Sequence, residues 1–373
     1  MKRKKPKATP EELLGEGQRH TERGDLAEAE ACYRKVLAAD PDHPPALCLL
    51  GLTLVDRENF TGAIDVLERA RAIAPEFAPV QLALGSAYSA AGHDALAVNA
   101  MESALRLEDT SPIPLERLAK HHLRMGRTRE AIGFLRRALR RDPSHAQAKY
   151  LLAGLTGDKS PEVTARPPAD LIAELFDAYA TTFEEHLTTG LQYDVPRALT
   201  SLVAACCAPP DASWTVLDLG CGTGLVGVEV RPYARTLIGA DISPRILARA
   251  RQRGIYDELH REDLLATLAR VRDADLIVAA DVFIYVGVLE ATFAACAAAL
   301  RPGGLLAFST ERSDTDDVVL LTTLRYAHAP GYIARLAAEH GFTVERVEPS
   351  VLRVEKEQPV HGELYVLRRR ESA

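Results

Sequence analysis

Three glycines at alternate positions, Gly220, Gly222 and Gly224, follow the apolar run Val216-Leu-Asp-Leu219 and precede another apolar stretch. A strand feeding a glycine turn lets a ligand approach the backbone where side chains would collide. Free N–H groups at the start of a following helix favour polar or negative ligand groups. Nucleotide and dinucleotide sites share this device, and the spacing separates them. The dinucleotide fingerprint G-x-G-x-x-G needs its third glycine at position 225, which is Leu225. Here the third glycine comes one residue early, and Asp218 sits two residues before the first. A second apolar run, Leu237-Ile-Gly-Ala-Asp241, ends in an acid about 20 residues on, where a carboxylate accepts ribose hydroxyls. The chemistry these residues suit is the binding of an adenosine-like ligand.

The pattern hxDxGxGxG resembles the first motif of class I S-adenosylmethionine (SAM)-dependent methyltransferases, and later segments follow in that family's order. His260-Arg-Glu-Asp263-Leu264 resembles the third strand and its turn, and Asp275-Leu-Ile-Val-Ala-Ala-Asp281 the fourth strand. Leu300-Arg-Pro-Gly-Gly304 to Thr310 resembles the glycine turn into the fifth. Residues 342–347 and 363–369 alternate apolar and polar and suit the antiparallel pair that closes such a sheet. The resemblance implies an α/β Rossmann-like domain of seven strands. It also implies SAM as cofactor and S-adenosylhomocysteine (SAH) as product. Cofactor contacts would come from Asp218, Gly220, Cys221, Gly222 and Gly224, and from Asp241 at the ribose with Ile242 beside it. Asp263 would meet the adenine amino group, Leu264 would offer a backbone N–H, and Asp281 would lie beside the sulfonium.

The elements around these residues supply a cover and an acceptor side. Leu175, Phe176, Tyr179, Phe183 and Leu187 recur at helical spacing. One reading is an amphipathic helix packed on the sheet. The other is a lid in which Tyr179 and Phe183 cover the cofactor, since aromatic faces attract a desolvated cation by up to about 2 kcal/mol. The pattern F-D-x-Y-A-x-x-F-x-x-H-L resembles repeat-containing bacterial methyltransferases and the lids of small-molecule relatives. Ligands of such folds lie outside the carboxyl ends of the strands. Arg325, Tyr326 and His328 are therefore expected at the acceptor, with Glu311 near the strand end; His328 alternatively caps a helix over 331–340. Methyl transfer from a sulfonium is a displacement with an activated leaving group, so the protein mainly positions the acceptor and excludes water. An oxygen or nitrogen acceptor adds the need for a base, expected at His328 or Asp281. The Asn/Asp-Pro-Pro-Tyr/Phe motif of DNA and glutamine methylation is replaced by Ala280-Asp-Val-Phe283, which argues against both substrates.

The N-terminal part is periodic. Pro41, Pro75 and Pro143 fall on a period of about 34 residues, as do Gly17, Gly51, Gly85 and Ala119. Ala29, Ala63, Ala97 and Ala131 share it, with the bulky set Tyr33, Leu67, Met101 and Leu135. This resembles the tetratricopeptide repeat, in about four copies with residues 146–156 as a capping helix, an all-α superhelix. Its face would hold a protein or peptide partner, or serve packing as a homodimer. His121-His122 is expected on a helix surface rather than at a metal, because adjacent helical residues point apart.

The domains expected are a basic tail over 1–9, repeats over 10–158, a linker over 159–168 and a catalytic domain with its lid helix over 169–373. A net charge of −7 offers no basic footprint for nucleic acid, and no apolar run approaches membrane-spanning length. Six cysteines show neither zinc spacing nor a disulfide framework, and no metal is expected; a reducing cytoplasm is. The leading function is methyl transfer to a small-molecule acceptor. The alternatives are a protein or carrier-bound acceptor recruited by the repeats, and a scaffold that binds cofactor without catalysis.

Overall fold

The computed structural model describes residues 8–158, 160, 166–179, 193–314, 317–355 and 357–371. It divides into two compact units, Met1–Leu152 and Ala153–Ala373.

In the first unit the period of the sequence becomes four antiparallel helix pairs. These are α1 (Pro10–Arg23) with α2 (Leu26–Ala39), α3 (Pro44–Asp56) with α4 (Phe60–Ile73), α5 (Ala78–Ala90) with α6 (Asp94–Leu107), and α7 (Ile113–Arg124) with α8 (Thr128–Arg141). Helix α9 (Ala146–Thr156) continues the array across the border of the units. The small-for-large pairing of the repeat is explicit. A Cβ on Gly17 or Gly85 would come within 2.5 Å of Tyr33 or Met101, and one on Gly51 would strike Leu67. Ala29, Ala63, Ala97 and Ala131 are all fully buried. This is the tetratricopeptide superhelix, and in these pairs the bulky residue of the second helix packs onto the glycine of the first. His121 and His122 differ from the expectation of a helix surface. Both are buried; His121 Nδ1 meets the Ser89 hydroxyl at 2.8 Å, and His122 packs against Phe134.

The second unit is built on one twisted sheet. Strands β1 (Trp214–Leu219), β2 (Ala234–Asp241), β3 (Glu258–Arg261), β4 (Ala274–Ala279) and β5 (Leu300–Arg312) run parallel in the order 3-2-1-4-5. Val216, Leu217, Leu276, Ile277 and Leu306 are completely buried, as parallel strands covered on both faces require. The cover comes from α11 (Val195–Ala204), α12 (Leu225–Val230), α13 (Pro244–Arg253), α14 (Leu264–Arg270), α15 (Glu290–Ala299) and α16 (Pro330–Glu339). Strand β9 (Gln358–Arg369) runs antiparallel to β5 and pairs with β8 (Phe342–Glu355). The sheet is thus the Rossmann-like methyltransferase arrangement of seven strands, with two added. Those two, β6 (Val318–Leu320) and β7 (Tyr326–His328), form a short hairpin at the end of β5. Helix α10 (Ala169–Tyr179) precedes all of them in the chain.

Candidate functional site

The glycine turn between β1 and α12 folds as its sequence demands. Gly220 has φ 58° and Gly224 φ 96°, in the left-handed region, and a Cβ on Gly220 would lie 2.6 Å from Val282. The turn is pinned to β2, because Cys221 N–H donates to the Ala240 carbonyl and Gly222 N–H to Asp241 Oδ2, at 2.9 and 3.0 Å. Asp218 lies behind it, buried, and accepts the Tyr256 hydroxyl at 2.7 Å. Burial pushes the Asp218 carboxyl up to about 7, against the pull of the Tyr256 bond. Family resemblance places Asp218 and Gly224 at the cofactor. In the structure neither is among the residues lining the cavity below.

Beside the turn, at the carboxyl ends of the central strands, is a cavity of about 640 Å³. It brings together Gly220, Cys221, Gly222, Asp241, Ile242, Asp263, Leu264 and Asp281. Asp241 accepts the N–H groups of Gly222 and Ser243, at 3.0 and 2.9 Å; burial nevertheless pushes its carboxyl up to about 6. Asp263 caps α14 through Ala266 N–H at 3.0 Å, and its other oxygen takes Arg166 Nη2 at 2.6 Å. Arg166 lines the cavity too, a partner the sequence reading did not anticipate. Helix α10 contributes Ile172, Leu175 and Phe176, and the Phe176 ring meets Tyr285 edge to face at 5.1 Å. It is held to α13, where Asp177 accepts the Ser243 hydroxyl and its carbonyl takes Arg245 Nη1 at 2.7 Å. The expected lid contacts of Tyr179 and Phe183 lie outside the described residues, Tyr179 by its side chain alone.

The remaining wall is a lattice of charges. Asp281 adopts φ 54°, rare for a side-chain-bearing residue, and is fixed on two sides. Its N–H donates to Ser309 Oγ at 2.7 Å, and the same hydroxyl donates to Oδ1 at 2.8 Å. Arg353 gives Nη1 to Asp281 Oδ2 at 3.0 Å, Nε to Glu355 at 2.6 Å and Nη2 to Glu311. Arg325 gives Nε to Glu311 at 2.8 Å and Nη2 to Glu355 at 2.7 Å. Burial raises the Asp281 carboxyl, with Arg353 pulling the other way. Glu355 is held below the usual range because the two guanidinium groups outweigh its burial. Arg353 reaches this wall through a register shift between Val351 and Arg353 in β8, a bulge that re-aims the side chain. Its only trace in the sequence is a charge within an apolar run, Val351-Leu-Arg-Val354.

Two expectations on the acceptor side require correction. Tyr326 and His328 are fully buried in β7 and line no part of the cavity. His328 Nε2 faces the carbonyl oxygens of Val286 and Gly287 at 3.1 and 2.8 Å, and burial pushes the imidazole down to about 4. With Nε2–H turned to carbonyls the basic nitrogen is Nδ1, which is buried and outside the cavity lining, so it is not placed to take a proton from a ligand there. Nor does His328 cap a helix, since the N-cap of α16 is Ala329.

Comparison with known proteins follows the same division. A methyltransferase-domain family model matches residues 191–347, and a tetratricopeptide-repeat model matches residues 14–76 and 116–155. Human "Methyltransferase-like protein 27" is 31% identical over 173 residues, 43% of this chain and 69% of that protein. A "Ubiquinone biosynthesis O-methyltransferase" of Thiobacillus denitrificans is 28% identical over 160 residues, 37% of this chain and 68% of its own length. Among solved structures, a magnesium protoporphyrin IX methyltransferase of Synechocystis with bound SAH superposes with TM-score 0.42 at 16% identity. It covers 54% of this chain and 99% of that one. A tetratricopeptide-repeat protein of Thermus thermophilus superposes with TM-score 0.38 at 24% identity, over 40% and 81% of the two chains.

Proposed function

The chain belongs to the class I SAM-dependent methyltransferases and carries N-terminal tetratricopeptide repeats; from that premise we propose that it methylates a small-molecule acceptor. The observation that carries the reading is the single cavity shared by the glycine turn and the charged wall. Its volume of about 640 Å³ lies within the about 300–1,000 Å³ usual for small-molecule sites. The residues present fit the cofactor. The backbone of Gly220, Cys221 and Gly222 lines the cavity together with a buried carboxylate, Asp241, which has lone pairs left for hydroxyl donors. The Gly220–Gly222 backbone, Asp241, Ile242, Asp263 and Leu264 would hold SAM. When bound, it supplies a methyl group on a sulfonium, already activated for displacement.

This chain's own residues position and exclude. Phe176, Tyr193 and Tyr285 line the cavity with rings that keep water from the reacting centre. Asp281, locked by Ser309 and Arg353, presents a fixed carboxylate edge to the acceptor and is the residue placed to orient an O–H or N–H or to receive its proton. The repeats serve assembly, with a protein partner or as a homodimer, and the six free cysteines suit a reducing cytoplasm. No helix among the described residues is long and apolar enough to cross a membrane. Calorimetric titration of the intact protein with SAM and with SAH tests the reading. Saturable binding of both is expected, and binding of neither sinks it.

A further inference from the structure

We propose that the acceptor end of the cavity selects a cationic, amine-bearing acceptor and rejects carboxylates and phosphates. This rests on the methyltransferase reading and names the substrate class of the same site. Five carboxylates (Asp241, Glu262, Asp263, Asp281, Glu355) and three guanidinium groups (Arg166, Arg325, Arg353) line the cavity, a formal charge of −2. The lattice at its acceptor end is unbalanced in the same sense, with Asp281, Glu311 and Glu355 against Arg325 and Arg353.

The direction of the bonds matters as much as the sum. Each of the three nitrogens of Arg353 donates to a different carboxylate, and Arg353 is 3% exposed. Arg325 binds two of the same carboxylates. An incoming anion would add a fourth negative charge to a wall that already sets three carboxylates against two guanidinium groups. A cation instead balances the surplus and enters a cavity lined by the Tyr193 and Tyr285 side chains, whose rings attract cations. Tyr193 stays a neutral phenol, because burial and then the Asp281 charge hold its proton far above the usual range. An unbalanced unit charge some 10 Å away, at an effective dielectric near 20, is worth about tenfold in affinity.

The test measures binding to the full chain saturated with SAH, using probes of one shape and three charges: tyramine, para-ethylphenol and para-hydroxyphenylacetate. Tyramine should bind at least about tenfold more tightly than the carboxylate, with the neutral phenol between them. Glu355→Gln removes one negative charge and should narrow that ratio. Arg325→Gln removes one positive charge and should widen it. Opposite shifts in two neighbours are not produced by loosened packing, and thermal melts check that both variants fold. Equal or tighter binding of the carboxylate, shifts of the same sign in both variants, or no binding of tyramine up to millimolar concentration overturns the proposal. Failure of SAH itself to bind is a different result, and it strikes the cofactor reading instead.

Discussion

Asp218 and Asp241 are carboxyls held where water cannot reach their charge, at about 7 and about 6 against an ordinary 3.8. A carboxyl raised in the folded state stabilises that state most while protonated in both states, below the unfolded value. That advantage is lost as pH rises through the window between 3.8 and about 7. Asp218→Asn keeps the shape and still offers an oxygen to Tyr256. Its melting temperature, measured from about pH 4 to about pH 7, should therefore climb relative to the parent protein as pH rises. A constant offset would show that burial does not govern Asp218. At Gly220 the backbone itself is the constraint. Gly220→Ala combines a positive φ with the clash on Val282, and should cost at least about 1 kcal/mol in denaturant melts and weaken SAH binding. These positions were legible from sequence because their demands are local: a glycine at a left-handed angle, an acid at a strand end. What the spacing did not reveal was which way a carboxyl turns, so that Asp218 faces Tyr256 while Asp241 faces the cavity.

The elements carrying the acceptor wall explain the rest of what sequence left hidden. His328 follows a polar insertion after β5 and reads as a loop histidine, yet three residues of pairing with β6 carry it into the interior. Arg353 lies beyond the segments whose alternation is visible in the sequence, and one extra residue in β8 sets its direction. Position in such a hairpin depends on register, which no local pattern encodes. Arg353→Met should be severe, costing about 3–5 kcal/mol by calorimetry, because it strands the Asp281 carboxylate without its cation and takes one of two cations from Glu311. If the loss is below about 1 kcal/mol, the lattice is not holding the wall. In the repeats, Leu67 is fully buried over Gly51, and Leu67→Ala should cost about 2–5 kcal/mol in the unfolding of that unit.

At the scale of the whole molecule the two units have separate cores and separate sequence signatures. The 34-residue period was readable because every repeat solves the same packing problem with the same pair of sizes. The succession of strands along the chain was readable from acids and glycines at their ends together with the family resemblance. Ligand linkage should respect the division. SAH at about 100 times its dissociation constant should stabilise the unit that binds it by about 2.7 kcal/mol. Hydrogen exchange should then show added protection in β1, β2 and α14, and little in α1–α8. An equal gain throughout the repeats would mean that the units report to one another.

The bulge that delivers Arg353 also sets an order of events as the chain is made. Asp281 leaves the ribosome 72 residues ahead of the guanidinium that fixes it. The nucleoside half of the cavity, from β1 to α14, is complete in sequence well before the hairpin of β8 and β9 exists. A nascent chain therefore passes through a stage with a cofactor cradle and an open acceptor side. Docking of the last hairpin then adds Arg353 and Glu355 to the wall of that cradle.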